Sequence, residues 1–246
     1  MGELIAVASG KGGTGKTSVT AGISSALAAT GRRVLCIDCD VGLRNLDISL
    51  GLADQCPLSF LDVMDGAYPL SRATVHPDYP TLQFLTAPMN CPPEKIDLPR
   101  FGSFLTQARS AYDYIFLDAP AGVDAGFKLV ATYADRCILV TGSGPAAVRD
   151  AARTAQILEL MGKTNVRLVV NRIDPKLVRA MDTTVDDVMD TAGLPLLGIV
   201  PEDKNVTLAA SFNRPLLKYK PRCAAARACA RIARRILGQP EPISIR

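Results

Sequence analysis

Short apolar, β-branched runs alternate along this chain with longer stretches whose apolar positions recur at helical spacing. Leu4–Ser9, Arg33–Asp38, Leu82–Ala87, Tyr114–Asp118, Arg136–Thr141, Val166–Asn171 and Leu196–Val200 read as strands. Thr17–Thr30 reads as a helix, with Gly31 at the residue past its end where a left-handed backbone is wanted. Helical patterns also cover about 102–112, 125–134, 147–161, 184–192 and 222–237. Strand, helix and strand in repetition predict right-handed crossovers. The expected fold class is therefore α/β, a mainly parallel sheet of about seven or eight strands with helices on both faces. Strands as continuously apolar as Ile115-Phe116-Leu117 suit burial from two sides. No Ser-, Gly- or Pro-rich linker and no internal repeat divides the chain, and Pro88–Pro99 reads as a surface loop. The expectation is one domain over residues 1–238 and a short tail over 239–246.

Composition narrows the classes. With 48% hydrophobic and 21% charged residues, the chain is neither collagen-like, disordered nor of low complexity. No apolar run approaches the ~18–20 residues that cross a bilayer. Met1-Gly2-Glu3-Leu4-Ile5 lacks the basic start of a signal peptide, and Ala6 stands where a myristoylation motif wants Ser or Thr. Trp is absent and aromatics make up 5%, a poor inventory for stacking single-stranded nucleic acid. The net charge of +4 is uneven, because residues 201–246 hold ten Lys/Arg against three Asp/Glu. Such a segment is a solvated helix face or a contact for something anionic, and charge alone favours the former.

The strongest chemical signal is Gly10-Lys11-Gly12-Gly13-Thr14-Gly15-Lys16-Thr17, which fits G-x-x-x-x-G-K-[ST] between an apolar strand and a helix. Glycines let consecutive backbone N–H groups converge on phosphate oxygens, and the helix N-terminus adds its positive dipole end. Lys16 is expected to neutralise the β- and γ-phosphates and the Thr17 hydroxyl to hold Mg²⁺. Asp38-Cys39-Asp40 follows at the carboxyl end of a strand, where open α/β sheets bind ligands. Alternation points Asp38 and Asp40 the same way, which suits coordination of Mg²⁺-bound water and orientation of an attacking water. Ile115-Phe116-Leu117-Asp118 ends an apolar run in a carboxylate and has the Walker B form, with Asp118 acting on Mg²⁺ through water. Pro120-Ala121-Gly122 gives a turn able to sense the γ-phosphate.

The seven cysteines, at 36, 39, 56, 91, 137, 223 and 229, mostly interrupt apolar runs and read as reduced structural thiols. Cys36-Ile37-Asp38-Cys39 matches C-x-x-C, but a strand puts the two thiols on opposite faces. His76 is the single histidine, so a His-based metal site is excluded, and Cys223 and Cys229 have no second close pair for a four-thiolate cluster.

Lys11, a second lysine inside the phosphate loop, makes the chain resemble the deviant Walker A (ParA/MinD) P-loop ATPases. The resemblance runs from Ile5 to about Leu237. It is carried by Ser9–Thr17, Asp38–Asp47 with its Gly42-Leu43-Arg44-Asn45-Leu46-Asp47 string, Asp118–Phe127, Ala147–Ala151, Val170-Asn171-Arg172 and Gly198–Asp203. It is closest to the branch that places the division septum. It implies ATP and Mg²⁺ as cofactors, slow partner-stimulated hydrolysis, and a homodimer bridged by ATP in which Lys11 reaches the opposite subunit's nucleotide. Gly10 to Ser18 would cradle the nucleotide. Asn171 and Arg172 with Pro201, Glu202 and Asp203 would line the adenine pocket. Asp40 would position water and couple the switch to partners, while Arg44 and Asp150 would lie on the partner surface. Partners would be a division inhibitor and ATPase-activating proteins of the MinC, MinE or DivIVA-linked kind. The expected location is the cytoplasm, with the inner face of the cell membrane as a second station.

The pattern departs at three places. Relatives of this branch carry a further C-terminal amphipathic helix, which Leu237–Arg246, with two prolines, is not expected to form. Ala224–Leu237, basic on its outer face, is expected to be the last helix of the fold rather than an anchor. Val140–Pro145 lacks an acidic residue usual before the partner helix, and Thr14 replaces a commoner Val. Flagellar-number and chromosome- or plasmid-partition ATPases are the nearest alternatives; DNA binding by the basic segment would mark the last. An iron–sulfur ATPase of the nitrogenase iron-protein kind and a non-catalytic nucleotide-binding module are more distant ones.

Overall fold

The computed structural model describes residues 1–55, 57–89, 91–174 and 184–243. Cys56, expected to be a structural thiol, and residues 244–246 of the expected tail lie outside the described residues. In chain order the elements are β1 (Glu3–Ala8), α1 (Lys16–Ala29), β2 (Val34–Asp38), α2 (Leu46–Leu50), α3 (Phe60–Met64), β3 (Thr74–His76), β4 (Tyr79–Leu85) and α4 (Leu98–Ala111). Then come β5 (Tyr114–Asp118), α5 (Ala125–Tyr133), β6 (Arg136–Thr141), α6 (Pro145–Leu160), β7 (Val166–Ile173), α7 (Val185–Ala192), β8 (Leu196–Pro201), α8 (Lys204–Ser211), α9 (Leu216–Tyr219) and α10 (Ala224–Ile236). The eight strands form one sheet in the order β3-β4-β2-β5-β1-β6-β7-β8, parallel except for the β3–β4 pair. This is the expected fold class. All seven strands read from the sequence are present, and the edge strand β3 was not anticipated, being three residues long with only Val75 strongly apolar.

Each central strand divides its side chains between two cores. Leu4, Ala6, Leu35, Ile37, Ile115, Leu117 and Leu139 face one layer of helices that includes Phe101 and Phe104 of α4, Phe127 of α5 and Leu158 of α6. Ile5, Val7, Val34, Cys36, Phe116, Ile138 and Val140 face the other, with Val19, Ile23 and Leu27 of α1 and Ile232 and Ile236 of α10. Period-two alternation with both faces apolar is what a sheet covered on both sides requires.

α1 is unusually small-featured, KTSVTAGISSALAA, because it lies between the sheet and α10. At Gly22 a Cβ would stand 2.5 Å from Cys229 Sγ, so glycine lets the two helices meet. The buried stripe of α10 is Ala225, Ala226, Ala228, Cys229, Ile232, Ala233 and Ile236, while Arg227 faces outward. Arg235 donates to the Leu197 carbonyl at 2.6 Å and to the Pro242 carbonyl, and Arg234 pairs with Glu241, fastening residues 239–243 over the helix end. Ala224–Ile236 is thus the integral last helix that the sequence predicts. No described helix is long and apolar enough to cross a membrane.

Candidate nucleotide-binding site

The carboxyl ends of β1, β2 and β5 converge, and pairing register decides what meets there. Asp38 of β2 is the register partner of Asp118 of β5, which in turn pairs with Val7 of β1. The loop after β1 therefore emerges beside two carboxylates, each only 1% exposed. The Cys39 amide donates to the Asp118 carbonyl at 3.0 Å, and the Ala119 and Gly122 amides donate to the Val7 and Ser9 carbonyls, so the three loops share one backbone network.

The phosphate loop spans Ser9 to Gly15 and delivers α1 with no side-chain cap at its N-terminus. Its first N–H groups are therefore available to an external anion, aided by the helix dipole. Gly15 has φ +82°, a left-handed conformation, and a Cβ there would stand 2.3 Å from Asn171 Nδ2. Both facts demand glycine. At Gly10 a Cβ would meet the Asp150 carbonyl oxygen at 2.6 Å, so the start of the loop lies directly against α6.

Lys16 is 6% exposed, and its ammonium forms an ion pair with Asp118 Oδ2 at 3.0 Å. The Thr17 hydroxyl donates to the same oxygen at 2.8 Å, and the Thr20 hydroxyl donates to Asp118 Oδ1 at 2.7 Å. Asp38 accepts from the Asp40 amide at 2.8 Å and from the Leu46 amide at 3.1 Å. Burial, then the nearby negative charge of Asp118, pushes the Asp38 carboxyl up to about 7, against the pull of Lys16 and the two amides. Desolvation, followed by the charge of Asp38, also holds the Cys39 thiol well above the ordinary range. β2 ends at Asp38, so strand alternation does not reach Asp40, whose carboxylate instead accepts from the Leu43 amide at 3.2 Å.

These oxygens suit a small hard cation. Thr17 Oγ1 and Asp118 Oδ2 lie together beside the loop, and Mg²⁺ bound through one or two protein oxygens takes its remaining ligands from phosphate and water. Among the described residues no group of three or more His, Cys, Asp or Glu could hold a metal by itself. The donor set thus fits a cation that arrives with a phosphate ligand. Five described cysteines are buried and Cys91 is half-buried, all unpaired, with burial pushing Cys36 and Cys229 to about 12.

Beyond the loop a cavity of about 180 Å³ is lined by Gly15, Ser18, Asn171, Arg172, Pro201, Glu202 and Asp203, the residues expected from the resemblance. Asn171 Nδ2 donates to the Thr14 carbonyl at 2.8 Å, tying β7 to the phosphate loop. Arg172, at φ +58°, pairs with Glu202 at 2.8 Å. The floor is apolar, formed by Val19, Val206, Leu216, Ala225 and Cys229, which sequence reasoning did not single out. Neither was Thr20, although it lies four residues after Lys16 and so on the same helix face. Lys11 is exposed. Arg44 is half-buried in a left-handed turn, φ +49°, and its Nε donates to Thr86 Oγ1 at 3.1 Å. Asp150 is partly exposed on α6.

A parallel α/β sheet with a glycine loop entering a helix at the central strand, a buried lysine and a strand-end aspartate defines a P-loop nucleotide-binding protein. The family model for the CobQ/CobB/MinD/ParA nucleotide-binding domain matches residues 5–216. The chain belongs to that family and is an ATPase of the MinD type. It is 39% identical over 245 residues to a putative septum site-determining protein MinD of Nephroselmis olivacea, covering 98% of this chain and 89% of that one. Among solved structures it is similar to the MinC:MinD cell division protein complex of Aquifex aeolicus, with TM-score 0.91, 33% identity and 98% of each chain covered. It is also similar to MinD of Pyrococcus horikoshii complexed with Mg-ADP, with TM-score 0.82, 28% identity and 96% of each chain covered.

Proposed function

We propose that this ATPase is a nucleotide-gated dimerisation switch that helps to determine the septum site. The observation that carries the reading is the contrast between its two loop lysines. Lys16 is buried against Asp118 within its own site, whereas Lys11 is exposed at the loop's outer edge, free to reach a nucleotide held by a second copy. Gly10 to Ser18 cradle the phosphates of ATP, Asn171, Arg172 and Pro201 to Asp203 hold the base, and Thr17, Asp38 and Asp118 serve Mg²⁺, the aspartates through water. Bound there, Mg²⁺ would supply neutralisation of the charge developing on the phosphates. Asp40 positions the attacking water. The chemistry is phosphoryl transfer to water by positioning and electrostatics, so slow intrinsic turnover and acceleration by a partner are expected. Gly10 against Asp150 gives the loop a direct contact with α6, through which nucleotide state reaches the partner face of Arg44 and Asp150. The MinC:MinD complex supports a division inhibitor of the MinC kind as partner. Activators of the MinE or DivIVA-linked kind and reversible recruitment from the cytoplasm to the membrane complete the proposal.

Mass measurement by light scattering after size exclusion tests it. A dimer with ATP and Mg²⁺, a monomer with ADP, a Lys11→Ala chain that binds ATP yet stays monomeric, and a Lys16→Ala chain that binds none are expected. An unchanged mass under every nucleotide would overturn the switch. Co-sedimentation with anionic liposomes under ATP and ADP tests the membrane station. Duplex-DNA binding with a steep salt dependence would instead favour a partition role for the basic segment.

A further inference from the structure

Asp118 has two oxygens with different duties. Oδ2 faces the phosphate loop and accepts from Lys16 at 3.0 Å and Thr17 at 2.8 Å. Oδ1 faces the body of α1 and accepts from Thr20 at 2.7 Å. Thr20 is fully buried, and its hydroxyl also lies 3.0 Å from the Lys16 carbonyl, the usual back-bond of a helical threonine. A hydroxyl has one proton to give, and the ionised, nearer carboxylate makes the stronger acceptor. Thr20 lines no part of the pocket and meets the phosphate-binding motif only at the Lys16 carbonyl, yet its hydroxyl holds the carboxylate that faces the loop.

We propose that Thr20 is a positioning residue for the divalent cation, the fixed point about which Asp118 exchanges partners when nucleotide enters. The inference rests on the nucleotide-binding reading above. Lys16 and Thr17 both hold Oδ2, so the carboxylate oxygen nearest the loop has two partners on α1. A phosphate arriving at the loop competes for Lys16, because ammonium groups bind phosphate at such loops. Oδ2 is then released, while Oδ1 stays held by Thr20 and keeps the carboxylate aimed. Without that hydroxyl, Asp118 is free to rotate about its side-chain torsions, and Lys16 or Thr17 can retain either oxygen. The cation should then bind weakly even though Thr17, Asp38 and Asp118 are all present.

The test is nucleotide affinity, read by fluorescence of N-methylanthraniloyl-ATP, first in EDTA and then across a Mg²⁺ titration. Wild type, Thr20→Val, Thr20→Ala and Thr20→Ser are compared, each with its melting temperature. Thr20→Val and Thr20→Ala should bind nucleotide as wild type does in EDTA but need about 10–100-fold more Mg²⁺ for half of the metal-dependent gain, the usual cost of losing an outer-shell partner. Thr20→Ser should restore the wild-type requirement. A wild-type Mg²⁺ requirement in either hydroxyl-free variant would overturn the proposal. So would a loss of affinity equal in EDTA and in Mg²⁺ with a lowered melting temperature, which is the signature of a structural role. A wild-type chain that binds no nucleotide would refute the reading of the site, whereas Mg²⁺-dependent binding indifferent to Thr20 refutes this role alone.

Discussion

The Lys16–Asp118 pair should hold the nucleotide-free protein together, and a double-mutant cycle measures by how much. The side chains are 7% and 1% exposed, so this is a buried pair and the small values of surface ion pairs do not apply. Removing one partner of such a pair leaves an uncompensated charge and costs about 3–5 kcal/mol. Two features adjust that range. In Asp118→Ala the stranded ammonium keeps only the Thr17 hydroxyl at 3.2 Å and the neighbouring Asp38, whose carboxyl sits near neutrality, which favours the lower end. In Lys16→Ala the carboxylate retains both threonine hydroxyls, so this single change should cost less than Asp118→Ala. At about 2–4 °C per kcal/mol for a chain of this size, Asp118→Ala, at about 3 kcal/mol, should lower the melting temperature by roughly 6–12 °C. The double variant should be less destabilised than the sum of the singles, with coupling of at least about 1 kcal/mol. The assay is thermal denaturation in EDTA without nucleotide, where neither ATP nor Mg²⁺ can mask the pair. Additive single effects, with coupling below about 0.5 kcal/mol, would show that the two charges do not neutralise each other and would refute the reasoning.

Gly15→Ala should lower nucleotide affinity at least about tenfold while the chain stays folded, since the added Cβ meets Asn171 Nδ2 at 2.3 Å and φ is +82°; unchanged binding of a fluorescent nucleotide would refute it. Gly22→Ala should destabilise by about 1–3 kcal/mol by overpacking against Cys229 Sγ, and Cys229→Ala in the same chain should recover most of the loss; no recovery would place the strain elsewhere. The Asp38 carboxyl, raised to about 7 on folding, binds its proton more tightly in the folded chain, so its contribution to stability is full below about 4 and is lost as pH rises through 7. Asp38→Asn should therefore gain stability relative to wild type between pH 5 and 8 in urea titrations without nucleotide, and a flat difference would contradict the shift. Burial lowers the His76 pKa, with Nε2 set on the Leu50 carbonyl and Nδ1 accepting from the Asp78 amide; stability should fall as pH drops below about 6.5, and His76→Gln should soften that acid-side loss.

The sheet was legible because its strands are buried on both faces, which makes each one an unbroken apolar run. The phosphate loop and Asp118 were legible because spacing and strand–loop–helix context state their chemistry locally. The short helices α2, α3 and α9 and the strand β3 were not read, because three to five residues carry too little periodicity, and the eight-residue α8 was missed although α7, of equal length, was read. α3 still left a trace in its capping box, Ser59 with Asp62. The base pocket divided along the same line. Asn171, Arg172 and Pro201 to Asp203 were named by resemblance. Val206, Leu216, Ala225 and Cys229 form its floor only because α8, α9 and α10 fold back over α1. Asp40 shows the limit of alternation as a guide. The rule holds only while the strand lasts, and β2 ends at Asp38; Asp40, two residues on, accepts from the Leu43 amide in the turn that follows.

Register then explains why these scattered segments form one site. Asp38 and Asp118 are side by side because β2 pairs with β5, and Asp118 lies beneath the phosphate loop because β5 pairs with β1. Two like charges brought together in a buried position would repel, and the structure offsets this in two ways. One carboxyl is raised towards its neutral form, and the other is held by a lysine and two hydroxyls from a single helix. Lys16, Thr17 and Thr20 thus balance the charge that Asp118 brings into the site. A phosphate at the loop would compete for this lysine, and a cation would compete for this carboxylate. Under the proposed reading, a site arranged in this way would favour the metal–nucleotide complex over either component alone.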